Sequence, residues 1–370
     1  MSKSIDVVIP SFRLDEQYLL PILQLIKPAG FEVNFYLIAD NPNVQLTPRL
    51  LAESERDDVH IIVNQQNIGF SATRNKGIDA GFGHWILLLD DDVTPKNDLL
   101  IAYSNAISLT NDALGFVGVT YFPQVINAVT KALKINGVST HFQLALHEPE
   151  MYWSATANIM LNRKLLASRR FLLELKKSTE DMELLFRNAF ENNLQKYIAV
   201  PSAVVNHPWW DNGKMQTKRM FRYGAGAAEA ARLYPLKLYT FYDFTNTTET
   251  LLLLALAAIP GAFLKLPVAI FLAAIIAQVL AEYLTNYYKA FKVGKTLDPV
   301  VALQMMWHKN VMEAGKLTLV LLNLHFIDFS KRIDGSFRKQ NPQPYRLNRW
   351  KIIKLILFVI IFAITLYTCA

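Results

Sequence analysis

Short runs of consecutive apolar residues, separated by longer helix-compatible stretches, pattern the first third of the chain. The runs cover 5–9, 33–39, 59–63, 85–89 and 116–120, each bounded by Pro, Asn, Asp or Gly. Runs of this kind are what strands buried on both faces look like. Their alternation with helices predicts an α/β fold with a mostly parallel sheet. Ligands of such sheets bind beyond the carboxyl ends of the strands. The polar residues there therefore carry most interest: Pro10 and Ser11, Asp40 and Asn41, residues 64–67, then Asp90, Asp91 and Asp92.

The pattern keeps mixed polarity to about residue 215 and changes after Tyr239. Residues 250–264, 268–280 and 355–368 are almost wholly apolar. Crossing a bilayer takes about 20 residues, so each run must borrow its flanks. The reading is a hairpin over 246–264 and 266–284 and a third span over 351–369; buried core helices would give similar runs. Phe241, Tyr242, Phe244, Tyr283, Tyr287, Tyr288 and Trp350 at the ends suit an interfacial belt. Segment 285–350 is rich in Lys and Arg, which places it in the cytosol. Within it, 300–329 suits an amphipathic helix lying on the membrane surface or packed on the globular part. The expected organisation is a catalytic domain over 1–225 and a membrane-associated helical region over 226–370.

Composition sharpens this. Of 370 residues 52% are hydrophobic and 19% charged, with a mean hydropathy of +0.18. That is too apolar for an ordinary soluble enzyme, and the charged share falls below the roughly 25% of globular chains. This argues against a disordered or nucleic-acid-coating chain. The net charge of +7 collects near predicted membrane borders, which points to lipid headgroups and an anionic substrate. The single cysteine, Cys369, rules out an intramolecular disulfide or a cysteine zinc site. The first residues run into a strand pattern without an apolar leader, so the expectation is an integral membrane protein with its catalytic domain in the cytoplasm.

The strongest chemical signal is Asp90-Asp91-Asp92 after Leu87-Leu88-Leu89. Three adjacent carboxylates repel unless a cation neutralises them, and an oxygen-preferring ion, Mg2+ or Mn2+, suits them. The same residues also suit an acidic helix start before Thr94-Pro95. Upstream, Asn67-Ile68-Gly69 lets backbone approach a ligand, and Arg74 offers a planar fork. Taken alone, a glycine turn capping a helix accounts for them more readily.

Together these segments resemble the family 2 glycosyltransferases, with their A-type nucleotide-sugar-binding fold. The resemblance rests on Asp6-Val7-Val8-Ile9-Pro10-Ser11-Phe12, on Asp40, on the Asn67–Gly77 pattern and on the Asp triplet, in that order. It extends over roughly residues 4–225 through Glu180-Asp181 and a closing strand ending at His207. It implies a single Rossmann-like nucleotide-diphospho-sugar transferase domain. In it Pro10, Ser11, Asp40, Asn67, Gly69, Arg74, Asp90 and Asp91 hold the donor, and Asp92 with His207 holds the metal. Asp181 is implied as the catalytic base, which an inverting transfer needs in order to deprotonate the acceptor hydroxyl. Arg13 departs from the family pattern, which has Asn there, and 154–158 departs from a glycine-rich stretch. Gln216 and Arg219 resemble a degenerate Gln-x-x-Arg-Trp motif with Met220 in place of Trp. The implied function is transfer of a single sugar from a nucleotide-diphospho-sugar, with UDP expected, to a lipid-linked or glycan acceptor of the cell envelope. The alternatives are a polyprenyl-phosphate glycosyltransferase and an inactive membrane assembly component.

Overall fold

A computed structural model describes residues 3–340 and 344–369, and for Cys369 the backbone alone. The chain divides into two compact units, Met1–Gln124 with Ser139–Trp209, and Val125–Val138 with Trp210–Ala370.

The first unit is built on β1 (Lys3–Ser11), β2 (Phe31–Ala39), β3 (Val59–Val63), β4 (Trp85–Leu89), β5 (Thr94–Pro95), β6 (Gly115–Tyr121), β7 (Glu150–Met151), β8 (Asn158–Asn162) and β9 (Tyr197–Asn206). All five apolar runs read from the sequence are strands. The sheet runs β3-β2-β1-β4-β8-β6-β9-β5, with β7 beside β9. The pairs β1–β2, β2–β3, β1–β4 and β6–β9 are parallel. Strand β8 enters antiparallel between β4 and β6, so the sheet is mixed. Helices α1 (Glu16–Leu23), α2 (Pro48–Glu53), α3 (Phe70–Ala80) and α4 (Leu99–Leu109) connect the early strands. The side chains of β1, β2, β4 and β6 make a core with Val8, Ile38, Leu88 and Val117, all at most 1% exposed, which is why those runs are apolar on both faces. Strand order reverses between β1 and β4, and the residues following these two strands face a common crevice.

Helix α5 (Ala128–Asn136) belongs to the second unit. The first unit continues with α6 (Arg163–Leu166) and α7 (Glu180–Glu191). The second unit adds α8 (Thr217–Ala230), β10 (Thr240–Tyr242), α9 (Thr247–Phe263), α10 (Val268–Gly294), α11 (Pro299–Leu322), β11 (Lys331–Ile333) and α12 (Arg349–Cys369). Helices α8 and α11 cross backbone to backbone: a side chain on Gly224 would sit 1.8 Å from the Met312 carbonyl oxygen. Val301, Ala302 and Met305 on α11 are buried, and Val301 and Met305 pack with Ala132 of α5 and Ala290 of α10. This face of 300–329 therefore packs within the second unit.

Among the described residues, α10 and the 349–368 part of α12 are long and apolar enough to cross a membrane. Helix α9, the first half of the expected hairpin, has 17 residues, about 25 Å at 1.5 Å per residue against a hydrocarbon core of about 30 Å. The apolar helices meet at one carboxylate. Glu282 of α10 accepts hydrogen bonds from Lys309 (2.8 Å) and Lys354 (2.7 Å) and from the Thr247 hydroxyl (2.8 Å). Both Glu282 and Lys354 are buried.

Candidate active site

Strand β4 ends at Leu89, and the acidic triplet forms the connection to β5. It does not cap a helix: the next helix, α4, begins at Leu99 after Asp98. Strand β5 instead pairs antiparallel with the end of β9, Thr94 opposite Asn206. That register brings His207, the residue after β9, to Asp92, with Nε2 3.2 Å from Oδ1. Asp90, Asp92 and His207 each offer a ligand atom within 4.8 Å of the others.

The imidazole geometry tests whether a cation fits here. His207 Nδ1 lies 2.6 Å from the Pro208 carbonyl oxygen, an acceptor, so Nδ1 carries the hydrogen. In a neutral ring Nε2 then presents a lone pair to a carboxylate oxygen, an arrangement that needs a shared cation, either a proton or a metal. A carbonyl bonded to the far ring nitrogen is also the usual support of a metal-ligating histidine. The Phe122 ring stacks on the imidazole at 5.0 Å. Two carboxylates and one imidazole suit Mn2+ or Mg2+.

Asp91 stands apart from this cluster, since both its oxygens are engaged. Oδ2 accepts from the Ser11 hydroxyl (2.7 Å) and Oδ1 from Arg13 (2.6 Å). Pro10 lies on β1 opposite Ile38 of β2. Asp40, placed at the end of β2, is likewise committed. Its Oδ1 accepts from Asn64 Nδ2 (2.8 Å) and the Ile68 amide (2.9 Å), and its Oδ2 from the Gly69 amide (2.9 Å). It thereby shapes the loop before α3, where the Asn67 carboxamide also accepts from the Gly69 amide at 3.0 Å. Gly69 has φ +84°, and a Cβ added to it would meet nothing within 4 Å, so backbone conformation rather than packing selects glycine there.

Arg74, buried on α3, connects the acidic triplet to α7. Its Nη2 donates to Asp90 Oδ1 (3.0 Å) and its Nη1 to Glu180 Oε1 (2.9 Å). Asn75 fixes the chain leading to α7 by two hydrogen bonds to the Phe171 backbone, both 2.9 Å. Helix α7 starts from Thr179 at φ +76° with no side-chain cap. A β-branched residue in that region is strained, a condition found at functional sites. Asp181 accepts from the Met182 amide at 2.7 Å. Burial, then the adjacent Glu180 charge, with a smaller contribution from Asp90, push its carboxyl up to about 7, against the opposing pull of the Met182 amide and Arg74. A carboxyl poised there can exchange a proton near neutrality.

The site thus gathers Ser11, Asp90, Asp91, Asp92, Arg74, Asp181 and His207, with Asp40, Asn67 and Gly69 shaping the adjoining loop. Glu180, which pairs with Arg74, and Arg13, which pairs with Asp91 and Asp92, complete it. Sequence reasoning did not place these two among the site residues, although Glu180 adjoins Asp181 and Arg13 had stood out as a departure. Gln216 and Arg219 belong to the second unit. There Gln216 Nε2 donates to the carbonyls of Trp210 (3.2 Å) and Lys214 (2.9 Å), and Arg219 lies 4.7 Å over the Trp210 ring.

Residues 6–167 match the model of the family described as Glycosyl transferase family 2. An uncharacterized glycosyltransferase of Methanocaldococcus jannaschii is 30% identical over 91 residues, 24% of this chain and 31% of that protein. The match therefore spans about a third of that relative's length. Among solved structures, Staphylococcus aureus TarS 1–349 in complex with UDP is similar over 85% of this chain and 92% of its own, at 12% identity and a TM-score of 0.43. The mannosyltransferase PcManGT from Pyrobaculum calidifontis, in complex with GDP-Man and Mn2+, is similar over 97% of this chain and 86% of its own, at 14% identity and a TM-score of 0.44.

Proposed function

We propose, from the match of residues 6–167 to the Glycosyl transferase family 2 model, that the chain is a membrane-bound inverting glycosyltransferase. It transfers one sugar from a nucleotide-diphospho-sugar, with UDP as the expected nucleotide, to a lipid-linked or glycan acceptor of the cell envelope. The observation that carries this reading is the Arg74 bridge. One guanidinium spans Asp90 and Glu180 at 3.0 and 2.9 Å, and so sets the metal-competent cluster and Asp181 in one crevice at the switch point of the sheet.

In this reading Asp90, Asp92 and His207 hold Mg2+ or Mn2+, which when bound supplies positive charge for the leaving diphosphate. The Asp40-ordered loop at Asn67–Gly69, with Pro10 and Ser11, borders the donor pocket. Asp181 accepts the proton of the acceptor hydroxyl as that oxygen attacks the anomeric carbon and the nucleoside diphosphate departs. Its raised pKa makes it a stronger base once ionised, and the Met182 amide fixes the carboxylate.

Membrane attachment belongs to the same proposal. Helix α12 exposes Ile356, Val359, Ile360 and Ile364, while the charges of Glu282 and Lys354 are paired inside the helical unit, as ionisable groups in membrane segments are. The catalytic domain then faces the cytoplasm.

The test is to incubate the full-length protein in vesicles with Mn2+, a panel of UDP- and GDP-sugars and a lipid extract, and to identify products by mass spectrometry. A lipid-linked product formed by the native protein and lost in Asp181→Asn supports the proposal. Undiminished transfer by Asp181→Asn onto a lipid phosphate would move the reading to a polyprenyl-phosphate glycosyltransferase, and absence of any transfer would leave the inactive component.

A further inference from the structure

Arg13 follows the end of β1 and reaches the acidic triplet across 78 residues of sequence. Its Nη2 lies 2.6 Å from Asp91 Oδ1 and 2.9 Å from Asp92 Oδ2. Asp91 does not depend on it for placement. The Ser11 hydroxyl donates to the other Asp91 oxygen at 2.7 Å and accepts from the Leu14 amide at 3.0 Å, so the turn after β1 is locked to Asp91 without the arginine. Asp92 is different: its Oδ1 faces His207 and its Oδ2 is held by Arg13. One oxygen of the central metal-competent carboxylate therefore already carries a cation.

The burial of the partners decides which one can move. The Asp91 and Asp92 side chains are 12% and 15% exposed, whereas that of Arg13 is 55% exposed. The carboxylates are fixed and the guanidinium lies on the solvent side. A guanidinium keeps its charge at every pH the protein meets. Its repulsion toward an incoming divalent ion is therefore relieved only by displacement. The partner best able to draw it off is a diphosphate, which matches the planar donor fork.

We propose that Arg13 is a resident counter-cation of the metal-competent cluster: it weakens binding of a free divalent ion and moves to the diphosphate of the incoming nucleotide. The proposal rests on the reading of Asp90, Asp92 and His207 as metal ligands. Its consequence is ordered loading. Metal and nucleoside diphosphate each raise the other's affinity by the same factor, as linkage requires, and Arg13 is the residue through which much of that factor passes. It is a positioning residue and transfers no proton or group.

The test uses purified full-length protein in detergent and counts free Mn2+ by electron paramagnetic resonance, with and without UDP or GDP. Arg13→Gln is expected to bind Mn2+ alone about tenfold more tightly than the native chain. It should also lose about tenfold of the enhancement of Mn2+ binding by nucleotide. Arg13→Lys keeps the charge without the fork, so its affinity for Mn2+ alone should stay within about threefold of native while the nucleotide enhancement falls. Thermal melting checks that both variants are folded, and Arg13→Lys still decides the matter if Arg13→Gln is not. Unchanged or weaker Mn2+ binding by Arg13→Gln, or a full nucleotide enhancement in Arg13→Lys, overturns the proposal. Asp92→Asn separates the two levels: if it binds Mn2+ as the native chain does, the metal reading itself fails, whatever Arg13 does.

Discussion

Replacing Asp181 by Asn removes a carboxyl whose environment disfavours its charge, and the two consequences have opposite signs. In the folded chain the group ionises near pH 7 rather than at its ordinary 3.8, with burial the largest cause and Glu180 the next. At about 1.4 kcal/mol per pKa unit, the difference caps the penalty for the ionised form at about 4 kcal/mol. Below pH 4 both folded and unfolded chains hold the proton and no penalty exists. Between about 4 and 7 the unfolded chain releases its proton first, so native stability falls as pH rises, and above about 7 the full penalty persists. Asp181→Asn never ionises. Relative to the native protein it should gain stability as pH rises from 5 to about 7 and hold that gain to pH 8, a difference of at most roughly 3 kcal/mol between pH 5 and pH 8. Transfer should fall by about 10²–10⁴-fold, the range for loss of a general base, while nucleotide binding persists. Paired thermal melts at pH 5 and pH 8 measure the first effect and product mass analysis the second. A stability difference that stays flat over this range, or transfer within threefold of native, refutes the assignment of a poised base.

Three further predictions concern other parts of the molecule. Asp92→Asn should weaken Mn2+ binding at least about tenfold, since the cluster loses its central charge; equilibrium dialysis with Mn2+ measures this, and retained affinity would remove Asp92 from the ligand set. Arg74→Lys cannot bridge Asp90 and Glu180 with a single point charge, so the turnover number should fall about a hundredfold, the scale of a small misplacement, with Mn2+ affinity within a few fold; steady-state kinetics decides it, and unchanged turnover would sink the bridging role. Glu282→Ala leaves Lys354 buried without its carboxylate partner, a change that costs about 3–5 kcal/mol; denaturant unfolding in detergent should reveal that loss, and a difference under about 1 kcal/mol would show that the pairs do not hold the helices together.

The sequence determined the strands and much of the chemistry. Buried parallel strands need apolar residues on both faces, so 5–9, 33–39, 59–63, 85–89 and 116–120 stood out, and polar residues placed directly after them had to border the ligand crevice. It also determined that the apolar excess lies late in the chain. Tertiary structure decided what depends on partners distant in sequence. The Asp triplet alone was equally an acidic helix start; the pairing of β5 with β9 turned it toward His207. Nothing local showed that Asp40 and Asp91 would have both oxygens engaged, that Arg74 would reach Glu180 across 106 residues, or that Arg13 would settle on Asp91 and Asp92. Local pattern reports burial and backbone preference, because both act over a few residues. Hydrogen-bond and charge partners are chosen by the register of strands and the packing of helices, which only the folded chain specifies.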